Sequence, residues 1–298
     1  MNSNLNDLIH AVWEKKILVI ITTVIFSLFS INYAISTPDT YTSRAILLPV
    51  DQESSLSSSL NEYSSIASVA GIAIPKSSSQ NNIIEAIERI KSYSFFTRHF
   101  LPSIKLENLC AVIKWDPLTN NISYDKKLFN SFTGEWIRDA QPPMTKIPSH
   151  QESYEFYKKI LHIYKDDKTS FVNISIKHIS PNIAKEWINI IIQNINESMR
   201  DEDKLTSSKS IEFLNKSYSD IALSGAKVAT SKLLEKQIQD LMFISANENY
   251  VFKTLEEPIA PEKKSAPNRA LMAVLGTILG TIFGVLLSLV HFFMKELK

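Results

Sequence analysis

ALMAVLGTILGTIFGVLLSLVHFF, residues 270–293, is 24 residues long and contains no charge. As a helix it would reach roughly 36 Å, against a bilayer hydrocarbon core of about 30 Å. A helix apolar on every face for that length has no polar side to offer water, so the segment predicts a tilted membrane span. It carries Gly276, Gly280 and Gly284, three of the six glycines in 298 residues. Small residues four apart bring helix backbones close together in lipid. The trio therefore predicts a packing face, whose partner is the other span, a second protomer or a different membrane protein.

Working outward, EEPIAPEKKSAPNRALM (256–272) places Pro258, Pro261 and Pro267 just before this span. Proline fixes φ and favours an extended path without internal hydrogen bonds. The stretch 258–267 reads as a semi-rigid spacer that sets the domain above the bilayer. Pro267 suits the start of a helix, and Arg269 can reach lipid headgroups.

A second uncharged run, ILVIITTVIFSLFSINYAI, fills residues 17–35. Lys15 and Lys16 in front of it, and Ala34-Ile35-Ser36 behind, resemble a secretory signal. This uncharged run of 19 residues exceeds the 7–15 of a signal core, which favours a retained helix. The expected organisation is a tail at 1–16, a span at 17–35, a domain at 36–269, a span at 270–293 and a tail at 294–298. Lys15, Lys16, Lys295 and Lys298 on the tail side nearly balance Lys263, Lys264 and Arg269 on the other. Basic-residue bias therefore does not fix orientation.

Within the central block, Tyr41–Leu48 reads as a strand between Pro38 and Pro49. Leu56, Leu60, Tyr63, Ile66 and Ala70 fall at helical spacing within a serine-dense stretch, and 81–91 carries an isoleucine stripe. Residues 100–150, with five prolines, read as loops, short strands and one helix; 154–164 reads as helical. In SFVNISIKHI (170–179), Val172, Ile174 and Ile176 alternate with polar residues as in a half-buried strand. Ser180-Pro181 offers a helix start. A long helix is expected over about 182–247, with a break near Ser207-Ser208 or Ser224-Gly225. Its seam of Ile211, Leu214, Tyr218, Ile221, Gly225 and Val228 steps by threes and fours, as in a coiled coil. NYVFKTLEEP (249–258) reads as a returning strand that pairs with Tyr41–Leu48 at the base.

The chain holds 32 basic and 31 acidic side chains, a net charge of +1, which gives no electrostatic reason to expect nucleic acid. Its one cysteine, Cys110, excludes an internal disulfide and a cysteine-rich metal site. The six histidines lie more than a turn apart, and no nucleophile elbow, zincin or P-loop pattern is present. The acidic clusters Asp166-Asp167 and Asp201-Glu202-Asp203 read as solvated faces. No enzyme, cofactor or metal is expected. Five residues after Phe293 leave no room for the signalling domain of a two-span sensor.

Two terminal spans, a helix-rich block and P-x-x-P-x-x-x-x-x-P-x-R before the second span resemble the chain length determinant family, the Wzz-type polysaccharide co-polymerases. YTSRAILLP, IIEAIERIKSYSFF, ISPNIAKEWINIIIQNIN and NYVFKTLEEPIAP add to the resemblance; residues 100–165 depart from it. The resemblance implies an α+β membrane protein of a Gram-negative inner membrane. Its two transmembrane helices would flank a periplasmic domain with an α/β base and a long protruding helix, and its tails would be cytoplasmic. It implies a homo-oligomer without a catalytic centre that regulates polysaccharide chain length beside a membrane O-antigen polymerase acting on a lipid-linked polysaccharide. The alternative within the family is a co-polymerase for capsule or exopolysaccharide synthesis and export, working with a separate kinase. Pro258, Pro261, Pro267, Arg269, Gly276, Gly280 and Gly284 are the residues expected to carry partner or oligomer packing.

Overall fold

The computed structural model describes residues 13–50, 79–220 and 224–296. The amphipathic helix expected over 56–70, and Ile221 of the seam, lie outside these residues. The chain divides into two units: the apolar helices with their flanks, up to Tyr41 and from Glu262, and the block Thr42–Pro261.

The first unit contains helix α1, Lys16–Ser36. The second apolar helix, at the far end of the chain, spans Arg269–Glu296. Ile20, Val24, Ile25, Leu28 and Phe29 are exposed on the first, and Leu271, Leu275, Leu279, Ile282 and Leu286 on the second. Two helices that turn bulky apolar side chains outward and hydroxyls inward are built for a lipid solvent. Both are long and apolar enough to cross a membrane.

The block Thr42–Pro261 begins on β1, Tyr41–Pro49. Ser43, Ala45 and Leu47 are buried, while Arg44 and Leu48 are exposed, so the strand buries one face. Helix α2, Ser79–Lys91, follows. A helical run then passes through an α turn (Tyr93–Phe95), a π turn (Phe96–Phe100) and a 3-10 turn (Leu101–Ser103). Beyond it lie α3 (Leu106–Cys110) and two small hairpins, β2 (Val112–Trp115) with β3 (Ile122–Tyr124) and β4 (Phe129–Asn130) with β5 (Glu135–Trp136).

Helix α4 covers His150–Ile160 and gives way to strand β6, Leu161–Lys165. The helix expected over 154–164 is therefore corrected. Leu161 and Ile163 alternate inward and pair with Ile176 and Ile174 of β7, Val172–His178, so sheet pairing overrides the helical spacing. The order of the four-stranded sheet is β6-β7-β1-β8, with β8 at Phe252–Glu256. β1 and β8 are antiparallel, with Leu47 opposite Thr254 and Pro49 opposite Phe252.

The single helix read over about 182–247 is two helices, α5 (Pro181–Asp220) and α6 (Ser224–Ala246). Thr206, Phe213 and Leu214 line one groove together with Leu233 and Gln237, so the helices fold back on each other. Of the expected seam, Ile211 and Leu214 are half-buried, whereas Tyr218, Gly225 and Val228 are exposed; the second helix begins at Ser224, near the Ser224-Gly225 alternative. At about 1.5 Å per residue α5 measures ~60 Å.

α5 lays Ile183, Trp187, Ile188, Ile191 and Ile195 on the core with Val172, Ile174, Ile176 and Phe252. Phe96, Phe100, Tyr157 and Trp187 form its aromatic centre; Phe100 meets Trp187 edge-on at 5.6 Å. The Tyr157 hydroxyl donates to the Ile90 carbonyl at 2.9 Å, giving that buried polar tip a partner. α7 denotes the closing helix, Arg269–Glu296.

Candidate functional site

The glycine face of α7 lies directly on α1. A Cβ added at Gly280 would stand 2.7 Å from the Phe26 Cβ and 3.0 Å from the Thr23 Cα. One at Gly276 would overlap Ser30, and one at Gly284 would overlap Thr22 and stand 3.0 Å from the Val19 Cα. Partners that fall in number as 276, 280 and 284 rise mark an antiparallel pair. Of the three occupants open from sequence, the first span fills this face.

The seam is polar as well as close. Ser30 Oγ donates to the Met272 carbonyl at 2.7 Å. Thr23 and Thr281 hydroxyls lie 3.3 Å apart, and Thr277 Oγ1 donates to Ser27 Oγ at 3.4 Å. Phe26 and Phe283 rings sit 5.4 Å apart. The α1 half of this seam was missed from sequence. Its signal was Thr22, Thr23, Ser27 and Ser30, the small polar residues of the run, recurring at helical spacing.

At the start of α7, Asn268 caps the helix, its side chain accepting from the Leu271 N–H at 3.2 Å. Pro267 directly precedes this cap, and its peptide bond with Ala266 is cis. Arg269 lies on protein groups: Nε donates to the Ala34 carbonyl at 3.2 Å and the guanidinium pairs with Asp39 at 3.1 Å. Lys264 meets the same carboxylate at 3.0 Å. A headgroup role for Arg269 was the expectation; the unread element was Asp39, the one acidic residue between α1 and β1. Beside it, Thr40 N–H donates to the Ala266 carbonyl, and Ser265 N–H to the Thr40 carbonyl, both at 2.8 Å.

In the other unit, Pro258 is buried and the Ile259 carbonyl accepts from Ser43 Oγ at 2.7 Å. The segment at Pro258 is thus docked on β1 rather than free. Pro261 is half-buried at the end of the same stretch. Proline fits there because an extended strand edge tolerates a missing N–H.

Two further buried devices hold the block. Asn196 of α5 accepts from the Val251 and Phe252 N–H groups at 2.8 and 2.9 Å and donates to the Phe252 carbonyl at 2.9 Å. His178 Nδ1 accepts from Ser180 N–H at 2.9 Å, which leaves Nε2 to donate to the Asn108 carbonyl at 2.9 Å. Burial holds its pKa below the ordinary imidazole value. Burial likewise pushes the Cys110 thiol up to about 11, so it is no poised nucleophile. Among the described residues no cluster of His, Cys, Asp and Glu could hold a metal ion. What the arrangement offers is helix packing and strand docking.

Residues 2–95 match the family model described as Wzz, chain length determinant protein. No curated protein matches the chain. Among solved structures, it is similar to a full-length bacterial polysaccharide co-polymerase, with 13% identity, coverage of 98% of this chain and 99% of that one, and a TM-score of 0.42. It is also similar to a fragment of WzzB, a polysaccharide co-polymerase from Salmonella Typhimurium (15% identity, 77% and 100% covered, TM-score 0.31). A third is a point mutant of the Shigella flexneri lipopolysaccharide O-antigen chain-length regulator WzzBSF (11% identity, 76% and 100% covered, TM-score 0.24). Over residues 2–95 the chain is similar to the chain length determinant family, Wzz.

Proposed function

We propose that this chain is a non-enzymatic regulator of polysaccharide chain length. It acts as a homo-oligomeric co-polymerase beside a membrane polymerase that extends a lipid-linked glycan. The O antigen of lipopolysaccharide is the glycan we assign to it. The central block then occupies the periplasm, and both tails of this inner-membrane protein are cytoplasmic. The observation that carries the reading is the Wzz family match over the first span, β1 and α2. Support comes from a membrane seam and a packed domain whose polar groups serve docking. In this reading the glycine seam and the segment from Pro258 to Arg269 fix how the two membrane helices present the domain to its polymerase and to neighbouring protomers.

Deleting the gene and separating the organism's glycans by gel tests this. Loss of a modal band cluster in lipopolysaccharide, restored by the wild-type chain, is expected. An unchanged lipopolysaccharide ladder with altered capsule or exopolysaccharide would move the chain to the alternative co-polymerase class. No change in either would overturn the reading.

A further inference from the structure

The four-stranded sheet treats its two edges differently. At β8, Asn196 accepts from the Val251 and Phe252 N–H groups and donates to the Phe252 carbonyl, so that edge is closed where it begins. At the other edge stands β6. The Asp166 N–H donates to the Phe171 carbonyl at 2.8 Å, and Leu161 through Lys165 pair in unbroken register with Ile176 back to Val172. Bonding sides alternate along an antiparallel ladder, so His162 and Tyr164 bond towards β7 as Asp166 does. The backbone groups of Leu161, Ile163 and Lys165 therefore turn outward. The Leu161 N–H donates to the Tyr157 carbonyl at the end of α4. Among the described residues, nothing bonds the Ile163 and Lys165 N–H groups or the three outward carbonyls.

This edge is reachable. An open groove is lined by the consecutive residues Leu161, His162, Ile163 and Tyr164, with Lys91 of α2 and Tyr154 of α4. Proline, bulges and covering segments are the usual devices that blunt a sheet edge. β6 has neither proline nor bulge, and its lysine, Lys165, stands at the end. The strand is also complementary to itself. Laid antiparallel on a second copy so that all of Leu161–Lys165 overlaps, Ile163 meets its own counterpart, His162 lies opposite Tyr164, and Leu161 lies opposite Lys165. The outward groups then coincide: the two Ile163 residues bond each other both ways, and each Lys165 N–H meets a Leu161 carbonyl. Aromatic cross-strand pairs stabilise a ladder and like charges directly opposite destabilise it. This register sets rings opposite rings on the exposed face and no like charges.

We propose that β6 is a seam between two copies of this chain, joined edge to edge about a two-fold axis at Ile163 into one continuous sheet. A two-fold seam uses the same patch on both copies and closes on itself, so it leaves no β6 edge free to recruit further strands. The occupant is a second copy, argued from the self-complementary register. The inference goes beyond the proposed function, which names an assembly but neither its surface nor its symmetry, and it stands on the sheet alone.

The test uses the full chain with Cys110→Ser in membranes. Two versions, His162→Cys and Tyr164→Cys, carry tags of different size and are co-expressed. Both side chains are exposed, Tyr164 at 60%, so the packed core stays intact. Across the seam, positions 162 and 164 form a non-hydrogen-bonded pair with Cα atoms about 4.5 Å apart, within disulfide reach; like positions are diagonal, at about 7–8 Å. Mild oxidation should give the mixed dimer in roughly tenfold excess over either like dimer. Lys165→Pro in both versions removes an outward donor and no bond within the chain. It should cut the mixed dimer roughly tenfold while the denaturation midpoint holds. The dimer ratio is read without the proline, so it decides even if that variant fails to fold. No mixed dimer, or like dimers as abundant as mixed ones, overturns the proposal. A mixed dimer at full yield in the folded proline variant also overturns it. An unchanged glycan ladder on gene deletion would overturn the function and leave the seam standing, so the two failures are distinguishable.

Discussion

Gly280 and Phe26 stand so close that the smallest side chain cannot come between them: a Cβ on Gly280 would lie 2.7 Å from the Phe26 Cβ. The Thr23 Cα at 3.0 Å closes the other side. Neither atom can swing aside, since one is backbone and the other is fixed to it. Gly280→Ala must separate the helices or tilt them.

That separation has a direct readout. Thr23 and Thr281 hydroxyls are 3.3 Å apart, so Thr23→Cys with Thr281→Cys should oxidise to a disulfide within one chain in membranes. Adding Gly280→Ala should cut the yield severalfold, in line with an overpacking cost of about 1–3 kcal/mol. Gly280→Leu should abolish it and disturb the glycan ladder. An unchanged yield would mean that the seam is looser than the geometry states.

Asn196 supplies a different test, because it sits in a buried place and satisfies three backbone groups at once. Asn196→Leu fills the space but leaves two N–H groups and a carbonyl without partners. Each buried orphan costs about 1–3 kcal/mol, so a loss of at least ~3 kcal/mol is expected in chemical denaturation. Asn196→Asp keeps the acceptor and loses only the donor, and should fall between.

How much of this was legible follows from where each signal is stored. The spans are written in composition, and β7 in the alternation of Val172, Ile174 and Ile176, all fully buried. The pairing of β1 with β8 followed from two strand patterns flanking the spans. Leu161 and Ile163 misled because three residues of alternation at the end of a helical stripe fit either period; only β7 decides. The fold-back of α5 on α6 was open for the same reason, since an apolar seam specifies a partner surface but not whose. At the site, the glycine trio was visible and its α1 counterpart was not. Asn196 and Asp39 act through partners 55 and 225 residues away, and no local pattern encodes such distances.

Asp39 yields an expectation of near-silence. Its pairs with Lys264 and Arg269 are each about one-third exposed or more, and exposed ion pairs contribute only about 0.2–1 kcal/mol. Asp39→Asn should lower stability by less than ~1 kcal/mol, with the difference shrinking in high salt. A larger, salt-insensitive loss would show that the carboxylate is held in a drier setting.

His178 makes the domain's stability depend on pH in a defined direction. The ring is neutral in the fold: Nδ1 accepts from Ser180, Nε2 donates to Asn108, and Trp187 lies 4.9 Å away. Burial depresses its pKa from the ordinary value of 6.5, so between the two values the unfolded chain binds a proton that the folded chain refuses. Stability is therefore complete above about pH 6.5 and falls as pH drops towards the depressed value, by at most about 1.4 kcal/mol per pH unit. Carboxylates with depressed pKa, such as Glu152 beside Arg138, act only below the carboxylate range near 4.5, outside this window. His178→Asn retains an acceptor for Ser180 and cannot titrate. Denaturation midpoints measured from pH 7.5 down to 5.5 should slope for the wild type, and this variant should remove that slope even though it lowers the midpoint overall. An equal slope in both proteins would assign the pH dependence to another group.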